Sequence, residues 1–316
     1  MNIAILNECF FNKTHLSRLK KLGILQVYKD TKTEEQTIKR IKDVDIAIVD
    51  QFVAPINKRV IESAPKLKLL ALNSTSFSAV DLDFTKKRKI KVSNLPGFSK
   101  QAVAELAIGL MFAVNRKIAL GDKIVRQEAT ELDPGNPEHQ KFIGFDFKGK
   151  TLGIIGLGRI GSVVAQIGQA IGMKVIAYNR SPKNLAGVKM VTLDKLLKTS
   201  DIVSVHLSLS QETKNLLSKK EIGKLKSNTI IINVSPPTII DQKALYDALV
   251  SRKIYGAGID MFGAKKDDPL FQLDNVVLTP HCGSFTKEAF FENLPNMIVE
   301  NVEAFAKGKP MNIVNE

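Results

Sequence analysis

Tryptophan is absent from this chain of 316 residues, and cysteine is nearly so, with only Cys9 and Cys282. Two cysteines make no disulfide framework, which points to a reducing compartment and a cytoplasmic protein. The four histidines and two cysteines show no metal-ligand spacing, so no structural metal is expected. Long apolar runs are missing as well. Nothing approaches the roughly 20 residues of a membrane span. The first residues, Met1-Asn2-Ile3-Ala4-Ile5-Leu6, enter a strand-like run with no basic leader, which argues against export.

Acidic residues are the scarcer sign. Lysine and arginine number 46 against 32 aspartates and glutamates, a formal charge of +14. Such a balance raises a nucleic-acid partner. The basic residues are dispersed, however, as where Arg18, Lys20 and Lys21 interleave with Leu16, Leu19 and Leu22, and no aromatic platform accompanies them. The expectation is a lysine-rich solvated surface that attracts anionic ligands by long-range field, with no nucleic-acid partner. An apolar fraction of 44% and a length suited to two domains complete the outline of a globular protein.

Short apolar runs alternate with amphipathic stretches. Ile3–Leu6, Asp45–Asp50 and Leu67–Leu72 read as strands, with helical spacing at Leu16, Leu19 and Leu22 and again over Asn57–Ala64. A long apolar helix is expected from about residue 101 to 118, capped by Ser99, then a loop through Asp133-Pro134-Gly135-Asn136-Pro137. Strand-helix alternation resumes from Lys150 to about Pro280. A last amphipathic helix carries Leu294, Met297, Ile298, Val302 and Phe305 and stops at Gly308 and Pro310. Alternation of this kind implies α/β architecture with parallel sheets.

Gly156, Gly158 and Gly161 form G-x-G-x-x-G between the strand-like run Thr151–Ile155 and an apolar-periodic helix closed by Gly172. In that setting one glycine makes the turn, one admits a pyrophosphate to the backbone, and one lets helix pack on strand. The next strand ends in Asn179-Arg180-Ser181, without the carboxylate that holds the ribose hydroxyls in NAD sites. Guanidinium and hydroxyl there suit a 2′-phosphate, so NADP(H) is favoured and NAD(H) is the alternative.

Three stretches resemble the D-2-hydroxyacid dehydrogenase family: Gly149–Gly161, Ser200–Leu207 and Asp274–Gly283. Pro96-Gly97-Phe98-Ser99 through Glu105 is similar to its glycerate dehydrogenase and hydroxypyruvate reductase branch. The resemblance covers nearly the whole chain. It implies two doubly wound parallel-sheet domains, a Rossmann nucleotide domain (99–288) inserted into a flavodoxin-like substrate domain (1–98 and 289–316). It also implies hydride transfer between a nicotinamide and a small anionic 2-oxo or 2-hydroxy acid of the glyoxylate or hydroxypyruvate type, in a homodimer. His281 takes the family histidine's proton-carrying place. Arg159, Ile160, Leu207 and Val234, with Asp260, His281 and Gly283, fall at cofactor-binding positions. Thr75 and Ser76 fall where backbone N–H groups hold the substrate carboxylate.

Two family positions depart from the pattern. The family's Asn-x-Ala-Arg-Gly falls on Asn233-Val234-Ser235-Pro236-Pro237, which puts Pro236 in place of the arginine. Proline has neither charge nor N–H to offer. At the family glutamate, ungapped counting after Asp260-Met261-Phe262 puts Lys265, and aligning Asp268-Pro269 there would supply a carboxylate. A short deletion that removes the glutamate is the preferred reading. Lys100, near the interdomain crossing and a candidate substrate-binding residue, and Lys265 or Lys266, in the altered loop, are the candidate replacement cations. Three readings stay open: an oxidoreductase with weak or altered activity, a nucleotide-binding pseudoenzyme with a sensing or partner role, and, least favoured, a basic nucleic-acid-binding protein reusing the fold.

Overall fold

The structure, a computed structural model, describes residues 1–128, 131–133, 135–260 and 266–316. Pro134 of the expected loop lies outside them. The chain divides into two compact units, Met1–Ser99 with Phe285–Glu316, and Lys100–Ser284.

The first unit runs β1 (Asn2–Ile5), α1 (Lys13–Lys20), β2 (Ile24–Val27), α2 (Glu34–Ile41), β3 (Ile46–Val49), α3 (Lys58–Glu62), β4 (Leu69–Leu72), α4 (Leu82–Lys87) and β5 (Lys91–Ser93). Its helices start where a polar side chain takes up a free N–H: Asn12 accepts from His15, Thr33 from Gln36, Asn57 from Val60 and Asp81 from Phe84. The five strands are all parallel in the order β2-β1-β3-β4-β5, the flavodoxin-like order. Period-2 alternation divides their side chains between two helical layers. Ile3, Ile5, Ile46, Ile48, Leu69 and Ala71 pack with Leu294, Ile298, Val299 and Val302 of the last helix. Ala4, Leu6, Ala47, Val49, Leu70 and Leu72 pack with Ile41, Val60 and Ile61 on the other face. Strand β2 escapes the sequence reading because it is a largely exposed edge strand with no buried run to mark it.

The second unit opens with α5 (Lys100–Asn115) and α6 (Ile118–Glu128). The single helix expected over 101–118 is therefore interrupted. Asn115 turns its amide to the backbone of Phe145, donating to the carbonyl at 2.7 Å and accepting from the N–H at 3.1 Å, and Lys117 takes a left-handed φ of 54°. Then follow β6 (Thr151–Ile155), α7 (Arg159–Ala170), β7 (Lys174–Tyr178), β8 (Val188–Met190), α8 (Leu193–Thr199), β9 (Ile202–Val205), α9 (Lys219–Gly223), β10 (Ile230–Asn233), α10 (Gln242–Val250), β11 (Gly256–Asp260) and β12 (Val276–Thr279). All seven strands are parallel in the order β12-β11-β10-β9-β6-β7-β8, a Rossmann sheet with one strand added. The chain then returns to the first unit for α11 (Leu294–Ala306), which ends before Gly308 at φ 73°. Among the described residues no helix is long and apolar enough to cross a membrane.

Because every strand of the second sheet runs the same way, all seven carboxyl ends share one edge. Strand order reverses between β6 and β9, and ligands of such sheets bind outside that reversal.

Candidate dinucleotide site and its catalytic edge

Each glycine of the turn after β6 answers to a different constraint. Gly156 has φ 97°, and a Cβ there would sit 2.5 Å from the His206 carbonyl oxygen. A Cβ on Gly161 would overlap the Gly156 carbonyl oxygen, so glycine is what lets α7 lie against the turn. Gly158 differs: a Cβ there would meet no protein atom within 4 Å. Nothing in the described protein requires glycine at that point, whereas a ligand brought against the backbone does. Gly158 is also the N-cap of α7 and has no side chain to take up the first N–H groups. Those donors and the positive end of the helix dipole face the open side, with exposed Arg159 as the first helical residue. A pyrophosphate fits this cradle. Ile160 is half-buried on the inner side of the same turn.

At the end of β7, Asn179 donates to the Ser181 carbonyl at 2.7 Å, which leaves the Arg180 guanidinium pointing outward. There it pairs with Glu212, a partner with no sequence signal. Both side chains are largely exposed, 80% and 67%. Any 2′-phosphate bound by Arg180 has to share it with that carboxylate.

The floor of the site is built where the stretches Ser200–Leu207 and Asn233–Pro237 meet. Ser235 donates to the Val205 carbonyl at 2.9 Å and accepts the Leu207 N–H at 3.0 Å, stitching the end of β9 to the end of β10. Asn233 accepts the Ser235 N–H at 3.0 Å, and Val234 packs inward. His206, beside Gly156, has Nε2 2.8 Å from the Ser204 hydroxyl, while its buried Nδ1 has no hydrogen-bond partner among the described residues. Burial without a counter-charge pushes this imidazole down to about 3, so it is neutral.

The ends of β11 and β12 form a second turn. Asp260, 6% exposed, accepts from the Thr279 hydroxyl at 2.6 Å and from the N–H groups of Cys282 and Gly283 at 3.0 Å each. Those contacts close a loop with exposed His281 at its tip, in a left-handed conformation of φ 53°. A Cβ on Gly283 would come within 2.9 Å of the Asp260 carboxylate. Pro236, at the end of β10, opens a short 3₁₀ turn by accepting the Ile239 N–H at 3.1 Å. Lys100, the first residue of α5, and Lys266 are exposed, and Lys265 lies outside the described residues.

Thr75 and Ser76 belong to the first unit, in the loop after β4. The Thr75 hydroxyl donates to the Leu95 carbonyl at 2.9 Å, and its own carbonyl accepts from Asn94 at 2.6 Å. Buried Gln51 donates to the Ser76 carbonyl and accepts the Ala79 N–H at 3.0 Å, fixing the loop from the neighbouring strand end. With their carbonyls and hydroxyls engaged inside the loop, backbone N–H groups are what this segment has left to offer an anion.

Residues 108–283 match the model of the D-isomer specific 2-hydroxyacid dehydrogenase NAD binding domain. The chain is 37% identical over 310 residues to a glyoxylate reductase of Thermococcus litoralis, covering 95% of this chain and 93% of that one. It is 37% identical over 271 residues to a hydroxypyruvate reductase of Thermotoga maritima, covering 84% and 86%. Among solved structures it resembles an acyclic imino acid reductase in complex with NADPH and D-Arg, with a TM-score of 0.88, 36% identity, and coverage of 99% and 100%.

Proposed function

The chain belongs to the D-isomer specific 2-hydroxyacid dehydrogenase family of oxidoreductases, and on that premise we propose an NADP(H)-preferring reductase acting at C2 of a small 2-oxo acid of the glyoxylate or hydroxypyruvate type. The observation that carries the proposal is Gly158, a helix-capping glycine whose missing side chain opens onto space that no described protein atom occupies, beside free N–H groups of the helix start. The second unit holds the dinucleotide and the first unit the substrate. When bound, the reduced nicotinamide supplies a hydride.

The protein's own residues divide the remaining work. The α7 N-terminus and Arg159 bind the pyrophosphate, and Arg180 with Ser181 meets the 2′-phosphate. Leu207 and Val234 line the floor. Asp260 and Gly283 present His281, which exchanges a proton with the heteroatom on C2. Thr75, Ser76 and Lys100 receive the substrate carboxylate. Pro236 stands where the family has an arginine, so activity on 2-oxo acids is low. Relatives named glyoxylate and hydroxypyruvate reductases support the substrate class. The neighbour with NADPH supports the cofactor choice, and its name adds C=N to C=O among the double bonds worth assaying. We place the protein in the cytoplasm as a homodimer.

Calorimetry with NADPH and NADH tests the cofactor reading. NADPH binds more tightly, and Arg180→Ala weakens it by about 1.5–3 kcal/mol, the scale of hydrogen bonds to a charged group, while NADH is nearly unaffected. Equal affinities for the two would overturn it. A screen of small 2-oxo acids, followed by nicotinamide absorbance, tests the activity.

A further inference from the structure

Strands β9 to β12 end side by side, in register Val205 with Asn233, Asn233 with Ile259, and Asp260 with Thr279. The described segments at these ends, 202–209, 230–237, 256–260 and 276–283, contain no lysine or arginine. Their only carboxylate is Asp260, and their imidazoles are His281 at the tip and neutral His206 on the floor. Among the described residues, these strand ends carry one carboxylate and neutral donors, with no lysine or arginine, and exposed Lys266 follows further along the chain.

That charge pattern decides between two acceptors. When a hydride reaches a carbonyl, negative charge develops on oxygen, and each missing donor costs about 10²–10³ in rate. When it reaches an iminium, C=NH₂⁺, positive charge is discharged instead. The nitrogen already carries its protons, so neither a guanidinium nor a strong acid beside it is required. A guanidinium beside the nitrogen would repel the iminium group, whereas a carboxylate attracts it.

We propose that the preferred acceptor is the iminium formed from a small 2-oxo acid and ammonia or a primary amine, an inference that rests on the hydride-transfer reading above. C2 gains the hydride, the C=N π pair withdraws to nitrogen, and the nicotinamide is left oxidised by two electrons. The product is a 2-amino acid, whose amine then takes up a proton by way of His281. No water is released in this step, because it left when the iminium formed.

The test uses the full chain with NADPH and glyoxylate or hydroxypyruvate, with and without ammonia or methylamine, at alkaline pH where free amine is present. NADPH oxidation is expected to rise about 10²-fold or more with amine, the scale of one missing oxyanion donor, with the amino acid detected by mass. In a separate binding measurement with NADP⁺, D-amino acids are expected to bind more tightly than the matching D-2-hydroxy acids. Pro236→Arg should lower the amine-dependent rate and raise the oxo-acid rate, and Pro236→Ala, which adds no charge, should do neither. Equal turnover with and without amine overturns the iminium proposal and leaves the hydride reading standing. No NADPH oxidation with any acceptor, while NADPH still binds, overturns both.

Discussion

The turn after β6 and the turn after β12 lie on the same sheet edge and are built in opposite ways. The first is shaped by what is missing: Gly156 and Gly161 have no room for a side chain, and Gly158 leaves space for something else. The second is shaped by what is present: one buried carboxylate, Asp260, collects three donors and holds His281 outward. The glycines that give the first turn its shape lie a few positions apart, even though His206 is what crowds Gly156. The hydrogen-bonded turn instead takes its acceptor from about twenty positions upstream. The first turn therefore announces itself in sequence, and the second does so only through its resemblance to a family.

The sharpest way to break the comparison is within the first turn. Gly161→Val should cost about 3 kcal/mol or more, because overpacking against backbone cannot be relieved by a side-chain shift. Thermal unfolding reads this loss. Gly158→Val should leave the melting temperature nearly unchanged, since its side chain meets open space, while abolishing NADPH binding in calorimetry. If Gly158→Val unfolds the protein or still binds NADPH normally, the steric account of that turn is wrong.

Asp260→Asn probes the second turn. The amide keeps one acceptor oxygen but sets an NH₂ against one of the three donors, so stability should fall by about 2–3 kcal/mol. His281 should lose its fixed position, with kcat falling more than KM rises. A stable variant of unchanged activity would show that the turn does not depend on this carboxylate.

His206 ties the first turn to acid stability. Its native value of about 3 lies below the ordinary 6.5, so the unfolded chain takes up a proton first as pH falls. The neutral ring's contribution is fully present above pH 6.5 and is lost as pH falls through the window toward 3. The slope in that window should reach about 1.4 kcal/mol per pH unit. Denaturant titrations from neutral to acid pH measure it, and His206→Asn should flatten the profile. The smallest effect belongs to Glu212→Gln, which frees Arg180 and should tighten NADPH by roughly 0.5 kcal/mol, the scale of an exposed ion pair. Weaker NADPH binding in that variant would mean that the carboxylate assists the cofactor.

Strand-helix alternation and the glycine spacing made both parallel sheets and the dinucleotide cradle readable, since buried runs and sterically required glycines leave a local trace. Strand β2, the break between α5 and α6 at Lys117, and the pairing of Arg180 with Glu212 left none. An edge strand needs no apolar run. A helix break set by Asn115 depends on where Phe145 arrives, 30 residues later. An ion pair across 32 residues depends on two loops meeting.

Hydrophobic period marks the layers and the strand directions, and backbone that tolerates no Cβ at Gly156 and Gly161 marks the turn after β6, so each of these is legible along the chain. Folding decided the surroundings of each polar group: the donors around Asp260, the buried neutral state of His206, and the gathering of the described ends of β9 to β12 on one edge. Charge and solvation at a point are sums over groups brought together by folding, and no local stretch of chain contains that sum.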